Sequence, residues 1–389
     1  MRRRLKIALV GSRGIPPRYG GAETFVYELS KRLKDFFDVY VSCESDRFDI
    51  DVFEGINRVH IWARHTPTMT IPVIYDIIAT LYLLKKVRDI NVIYYVAPDG
   101  AFAGILAKLS RKRVIVNTDG IEWKRLLIRM RFVPWYQKPI YLITSIAMFI
   151  SEFLACKIPD ITIADSLAIK KYLENKWRPR RVEYVAYGIR ELPKTDENRK
   201  KEILKKLGLE RNRYYLTIGR IVAENNIHLE IEAFKKTKTG DKLVIVGPIN
   251  PRDPYVKHLF RLRGGDKRII FTGGIYDPEI IYTLRLECKA YIHPYTVGGT
   301  NPSLLEQLQF DNPIIVYDVP FHREILRDKA IYFKTKEELI KIIENLEKQN
   351  NIAIIRAIPR MFMWEWISQR YSKIFEKFCL LGRYHAESL

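Results

Sequence analysis

The sequence predicts an α/β protein built as two Rossmann-like halves, and three observations carry that prediction. Short apolar strand candidates alternate with helical patterns along almost the whole chain, the signature of parallel sheets covered on both faces. The alternation stops at a polar, charge-rich stretch, residues 190–201, and then starts afresh. Glycine-bearing loops follow strand candidates in both halves, where open parallel sheets place their ligands. A length of 389 residues suits two domains of ordinary size.

In the first half, a strand at 6–10 leads into the loop GSRGIPPRYGG at 11–21 and a helix at 22–34. The pair Gly20 and Gly21 stands directly before that helix, so backbone there can approach a ligand closely. Strand candidates recur at 37–42, 58–61, 92–96, 114–117 and 161–164, with helical patterns at 71–87 and 101–109. In the second half the strands are 214–218, 242–246, 268–272, 290–293, 314–317 and 330–333. Amphipathic helices at 228–236, 278–286 and 337–347 fall between them. The tail at 363–378 sets Trp366, Ile367, Tyr371, Ile374, Phe375 and Phe378 on one helix face, to pack on the second half or to cross back onto the first. The expected architecture is therefore a domain at 1–190 and a domain at 191–362, with the parallel sheets of both facing a central cleft.

Bulk properties narrow the class. A hydrophobic content of 47% is that of a globular protein, and a formal net charge of +21 implies an anionic partner: a nucleotide sugar, a phospholipid surface or a nucleic acid. No nucleic-acid motif accompanies the charge, so no nucleic-acid partner is expected. Cys43, Cys156, Cys288 and Cys379 lie far apart, which suits a reduced, intracellular chain. The start MRRRLKIALVG reads as a first strand, its apolar run being too short for a signal-peptide core.

No segment offers the roughly 20 uninterrupted apolar residues that span a bilayer. Residues 71–84 are interrupted by Asp76 and residues 141–156 by Glu152, and both read as buried helices. The second follows KRLLIRMRFVPWYQK at 124–138, where basic and aromatic residues interleave as in a helix lying on an anionic membrane surface.

Candidate chemistry centres on HPYTVGGTNPSLLEQLQFDNPIIVYD, residues 293–318. A strand, a loop with Gly298 and Gly299, and a helix opening at Pro302 and Ser303 form a seat for phosphate, and Glu306 one turn on can reach ribose hydroxyls. On spacing alone the same residues also fit a glycine loop that binds nothing. Asp119, in NTDGIEWK, is either one residue of a turn or a carboxylate at a strand end that accepts a proton from a sugar hydroxyl. Glu122 and Trp123 beside it suit a saccharide. Arg220, after Gly219 at a strand end, is either a surface ion-pair partner or a bidentate phosphate ligand, and Glu224 and Asn225 read as helix caps. Gly188 reads as a turn, with Arg190 as a possible anion contact. Gly274 and Ile275, in FTGGI, offer backbone to a base edge or form a tight turn. The seven histidines show no metal spacing and no D-x-D occurs, so a departing diphosphate would be stabilised by arginine and helix termini without a metal.

GIPPRYGGAETF, NTDGIEWKR, GRIVAENN and GGTNPSLLEQ occur in an order that resembles the retaining GT-B glycosyltransferases of family four, and most closely its rhamnosyltransferase-like subgroup, over residues 7–326. The resemblance implies the GT-B fold, an acceptor-binding first domain and a donor-binding second domain. It implies Asp119, Arg220 and Glu306 as catalytic residues, and a donor diphosphate held by Gly20, Gly21, Arg220, Asn301, Pro302, Ser303 and Leu304. It further implies Glu306 on the ribose, Gly274 and Ile275 on the base, and Arg13, Glu122 and Trp123 on the acceptor. Two positions depart from the wider family, which has glutamate at Gly298 and lysine at Asn225, and they leave open how the diphosphate charge is balanced. The implied activity moves rhamnose or another hexose from a nucleoside-diphosphate sugar to a glycan or polyprenyl-linked saccharide, without a metal cofactor. The enzyme would be cytoplasmic and peripheral on the inner face of the cell membrane. A non-catalytic nucleotide-sugar-binding protein, a phosphorylase and a nucleotide-sugar epimerase are the alternatives on the same fold.

Overall fold

A computed structural model describes residues 4–17, 20–63, 72–348 and 358–386. Arg18 and Tyr19 of the first loop, Ile71 at the head of an expected helix, and the side chain of Cys379 lie outside the described residues. In the first half the strands are β1 (Leu5–Val10), β2 (Phe37–Ser45), β3 (Asp49–Phe53), β4 (Ile56–Trp62), β5 (Val92–Tyr95), β6 (Arg113–Thr118), β7 (Ile161–Ala164) and β8 (Val182–Tyr184). The helices among them are α1 (Gly21–Leu33), α2 (Pro72–Lys86), α3 (Gly100–Leu109), α4 (Glu122–Arg129), α5 (Lys138–Lys157) and α6 (Leu167–Trp177). The second half carries strands β9 (Tyr214–Ile218), β10 (Lys242–Val246), β11 (Ile269–Gly273), β12 (Ala290–His293), β13 (Ile314–Tyr317) and β14 (Ile331–Phe333). Its helices are α7 (Glu197–Leu207), α8 (Ile227–Lys236), α9 (Pro254–Arg263), α10 (Pro278–Glu287), α11 (Pro302–Gln307), α12 (Pro320–Leu326) and α13 (Lys336–Lys348), and α14 (Trp364–Ala386) closes the chain.

The described strands form an eight-stranded sheet ordered β3-β4-β2-β1-β5-β6-β7-β8 and a six-stranded sheet ordered β11-β10-β9-β12-β13-β14. All pairs are parallel except β3 with β4. Buried Ile7 to Val10 on β1 and Leu243 to Val246 on β10 show why the strands read as unbroken apolar runs: each sheet is covered on both faces. The direction of winding reverses between β1 and β5 in one sheet and between β9 and β12 in the other. Loops leaving those strands are where an open parallel sheet accepts a ligand.

The chain divides into two compact units, residues 1–121, 146–188 and 359–389 in one, and residues 122–145 and 189–358 in the other. In the first, α14 packs its apolar face inward: Tyr371 Oη lies 3.1 Å from Tyr94 Oη, and the Phe37 and Phe375 rings meet at 6.0 Å. Gly188 is not in a turn; a Cβ there would come within 2.3 Å of Trp364, so glycine is needed for the approach of α14. Within the charged stretch at 190–201, Asp196 caps α7 by accepting from the Asn198 and Arg199 amides.

The basic, aromatic stretch at 124–138 is only partly a surface. Ile128 and Phe132 pack against the second unit's core, and the Phe132 ring lies 4.8 Å from that of Tyr255. Trp135 and Tyr136 remain exposed. The expectation that no segment could span a bilayer needs correction as well. The helical run Trp135–Lys157 has 23 residues and contains an 18-residue stretch of mean hydropathy 1.7, long and apolar enough by length and composition. Glu152, which seemed to interrupt it, is turned inward and accepts from Tyr172 Oη (2.8 Å), Trp177 Nε1 (2.7 Å) and Lys176 Nζ (3.2 Å).

Candidate functional site

In the first unit, Gly20 caps α1 with φ 114°, and a Cβ there would meet nothing within 4 Å, so the backbone is open to approach. Gly21 is the first residue of α1, and Arg13, exposed in the loop after β1, ties that loop by accepting the Glu44 amide at its carbonyl (2.9 Å). Asp119 follows β6 and is half-buried, with Tyr187 Oη donating to its Oδ2 at 3.5 Å. Burial, and after it the charge of Asp119, drives the Tyr187 phenol well above its ordinary range. Tyr187 is held in place by Asn117 Nδ2, which also bonds the Val96 carbonyl.

Two acidic residues that sequence reasoning passed over sit at the switch point of this sheet. Asp76 on α2 is buried, its carboxyl within van der Waals reach of a Cβ at Gly11 after β1, and burial followed by the charge of Asp99 raises it well above the carboxylate range. Asp76 registered only as an interruption of an apolar helix, and a lone Asp in such a helix carries no further signal.

In the second unit, Arg220 leaves β9 at the other switch point. Gly219 before it has φ 159°, and a Cβ there would collide with the Tyr295 hydroxyl, so the turn that presents Arg220 demands glycine. Arg220 is exposed and makes no ion pair among the described residues, which sets aside the surface-pair alternative. Glu224 and Asn225 do not cap α8: Asn226, with φ 60°, occupies that position. Asn225 Nδ2 instead donates to the Arg220 carbonyl at 2.7 Å, fixing the Arg220 turn. Glu224 is buried and receives both ends of the Arg129 guanidinium, Nε to Oε2 at 2.8 Å. Burial alone would raise its pKa, but the Arg129 hydrogen bonds and charge outweigh it and hold the carboxyl below its usual value.

Around α11, Asn301 caps the helix by accepting the Ser303 amide at 2.9 Å. The Ser303 hydroxyl donates to the Ile218 carbonyl (2.9 Å), lies 2.9 Å from Tyr291 Oη, and accepts from Arg285 Nη2 (2.9 Å). Both donors of Ser303 are thus engaged, and a diphosphate contact through this residue would have to displace an existing bond. Pro302 has no N–H to offer, and Leu304 turns its side chain into the core. Glu306 accepts from Arg285 Nη2 at Oε2 (2.9 Å) and from Arg190 Nε at Oε1 (3.2 Å). Arg285 has no solvent exposure and also donates to Gln307 Oε1 at 3.1 Å. Sequence reasoning missed it because an arginine on an amphipathic helix is counted on the wet face. His293 and His322 lie beneath, ring centroids 5.1 Å apart; burial lowers His322 to about 4 and holds His293 well below the ordinary imidazole value, so both are neutral.

Gly274, exposed, and Ile275, half-buried, follow β11. Glu122 opens α4, ion-paired with Arg125, and the Trp123 carbonyl accepts from Ser145 Oγ at 3.0 Å. The structure therefore groups Arg13, Gly20, Gly21 and Asp119 in the first unit, and Glu122, Trp123, Arg220, Gly274, Ile275, Asn301 to Leu304 and Glu306 in the second. Among the described residues, no three His, Cys, Asp or Glu side chains gather as a metal would require.

Residues 199–360 match the family model described as glycosyl transferases group 1, and residues 4–190 match a domain of unknown function. No curated protein matches the chain by sequence. Among solved structures, a sucrose-phosphate synthase from Thermosynechococcus elongatus is 14% identical at a TM-score of 0.76, covering 97% of this chain and 100% of its own. HepE from Anabaena in complex with UDP-glucose is 16% identical at 0.71, covering 96% and 100%. An α,α-trehalose 6-phosphate synthase from Burkholderia multivorans is 9% identical at 0.65, covering 97% and 99%. These likenesses show the GT-B fold. With that fold, the chain carries in its second half, over residues 199–360, a match to the glycosyl transferases group 1 domain.

Proposed function

We propose that the chain transfers a glycosyl group, with retention at the anomeric carbon, from a nucleoside-diphosphate sugar to a glycan or polyprenyl-linked saccharide, in synthesis of a cell-surface polysaccharide or glycoprotein glycan. The observation that carries this reading is the company of Arg220 and Glu306 beside the β9/β12 switch point. One is a guanidinium with no ion pair among the described residues, the other a carboxylate held ready by two arginines. A carboxylate has ~four acceptor positions, and the arginines occupy two of those on Glu306, so ribose hydroxyls can use the rest. HepE, similar in fold, was solved with UDP and with UDP-glucose, which supports a nucleoside-diphosphate hexose, rhamnose or another, as donor.

In this reading the bond from the anomeric carbon to the diphosphate breaks as the acceptor oxygen bonds to the same face. Arg220 stabilises the charge that develops on the leaving diphosphate, the largest single contribution to such a reaction. Backbone at Gly20, Gly21 and 301–304 adds to the diphosphate site, Gly274 and Ile275 meet the base, and Asp119 accepts the acceptor proton or orients a sugar hydroxyl. Arg13, Glu122 and Trp123 serve the acceptor.

The enzyme works in the cytoplasm, peripheral on the inner face of the membrane, where a lipid-linked acceptor is presented. Exposed Trp135, Tyr136, Ile140, Ile143, Ile146 and Ile150 on the helical run Trp135–Lys157 support this location. Purified protein should release nucleoside diphosphate from one member of a panel of nucleotide sugars, and only when a membrane lipid extract of the source cell is added. Donor consumed without any acceptor would favour an epimerase, and donor bound but never consumed would favour a non-catalytic binding protein.

A further inference from the structure

We propose that Arg190 is a second ligand of the donor's ribose and makes the site a reader of its two neighbouring hydroxyls, a role that rests on the reading of Glu306 as the ribose carboxylate. Glu306 has an arginine on each oxygen, and the two arginines differ in kind. Arg285 meets Oε2 from inside the protein, without solvent exposure, and is tied there by Ser303 and Gln307. Arg190 meets Oε1 from the solvent side, its side chain more open to water than that of Glu306. Its backbone is fixed all the same. Gln309 Nε2 donates to the Arg190 carbonyl at 3.0 Å and to the Glu306 carbonyl at 3.2 Å, and Leu192, two residues on, is buried. The base of the Arg190 side chain is thereby held beside the end of α11.

The Arg190 guanidinium is only partly spent. Nε donates to Oε1 at 3.2 Å, and Nη1 and Nη2 make no hydrogen bond among the described residues. A carboxylate oxygen has two acceptor positions, so each oxygen of Glu306 keeps one beside its arginine. Hydroxyls on adjacent ribose carbons can then donate one to each oxygen. The hydroxyl on Oε1 stands about 2.7 Å from an atom that Arg190 already touches, and the planar fork of the guanidinium sets an Nη group beside Nε. That hydroxyl keeps acceptor lone pairs after giving its proton away. Arg190 fills one of them, so a single hydroxyl is held as donor by Glu306 and as acceptor by Arg190. At Oε2 the Nη groups of Arg285 are committed to Ser303 and Gln307, so the second kind of bond belongs to Arg190. A site that pairs a substrate hydroxyl in both senses loses both bonds when the hydroxyl is missing. The donor class is therefore a ribonucleoside-diphosphate sugar, and a 2′- or 3′-deoxy analogue is disfavoured.

Calorimetric titration with the 5′-diphosphates of uridine, 5-methyluridine, guanosine and adenosine, each beside its 2′-deoxy and 3′-deoxy forms, tests this role. Wild type should bind its preferred ribonucleotide at least about tenfold more tightly than either deoxy form. Arg190→Ala gives up only an exposed ion pair and should fold as wild type does. It should cut the discrimination against one deoxy form to about two- or threefold and leave that against the other as it was. The deoxy form concerned should bind variant and wild type alike, because the hydroxyl that Arg190 reads is already gone. Equal losses for the ribonucleotide and both deoxy forms, or loss of both discriminations together, would make Arg190 a brace for Glu306 and overturn the ligand role. So would full discrimination surviving in Arg190→Ala, or a wild type that binds a deoxy form as tightly as its ribonucleotide. Failure of wild type to bind any of these diphosphates would instead sink the reading of Glu306, and of the second unit, as the donor site.

Discussion

Arg285 Nη2 meets Glu306 Oε2 at 2.9 Å, and the arginine side chain that makes this contact has no exposure to solvent. The same guanidinium holds Ser303 and Gln307, so one buried cation organises a whole turn of α11. Removing one partner of a buried pair leaves an uncompensated charge. Arg285→Met should therefore cost about 3 kcal/mol in urea denaturation, whereas Arg190→Ala, removing a 43% exposed partner of the same carboxylate, should cost about 1 kcal/mol or less. Equal losses in the two variants would argue against Arg285 as the principal support of Glu306.

Arg220 has the opposite character. It is exposed, makes no ion pair among the described residues, and contributes little to packing, so its replacement should spare stability and harm chemistry. Arg220→Ala should lower turnover by about 100-fold or more while the melting temperature stays close to that of wild type. Wild-type turnover in that variant would remove Arg220 from the leaving-group role.

Glu230 on α8 is fully buried, and burial raises its pKa to about 8 despite a hydrogen bond from Thr217 Oγ1 at 2.5 Å. An unfolded glutamate titrates near 4.5, so the folded form binds the proton more tightly. The stability this contributes is complete below that unfolded value and is lost as pH rises through the folded one. Glu230→Gln keeps an acceptor for Thr217 and has no proton to lose. Relative to wild type it should gain on the order of 4 kcal/mol between pH 4.5 and pH 8, measured by urea denaturation at both values; parallel stability curves would contradict the assignment.

Ile143 and Ile146, 64% and 53% exposed on α5, have almost no internal packing to lose. Changing either to Glu should leave the melting temperature within a degree or two of wild type, yet weaken binding to vesicles of anionic phospholipid by about tenfold or more. Wild-type vesicle affinity in both variants would dissociate this helix from any membrane role.

The strands of the second sheet were legible almost to the residue, β9, β10, β12 and β13 having the bounds their apolar runs suggested, because burial on both faces leaves no polar position to blur the ends. Edge elements were not. DIDVF in β3 alternates acidic and apolar residues on an exposed antiparallel edge, and β8 has three residues; neither carries enough pattern to stand out. At the candidate site, Arg220 and Glu306 were visible because each follows a strand at a recognisable spacing. Arg285 and Arg129 were not, since what they do depends on which element they are folded against. A basic, aromatic run from 124 onward looks like a membrane-surface helix until Phe132 is found in the second core.

The chain's route through its two units also bears on its ancestry. A recombination event that exchanged everything after residue 190 for the corresponding half of a distant relative would inherit α4 without its seat. Ile128 and Phe132 would lose their apolar cover, and Arg129 its carboxylate. Lineages carrying this segment are expected to have diversified by drift within both halves together, and a functional chimera would need its crossovers on either side of 122–145.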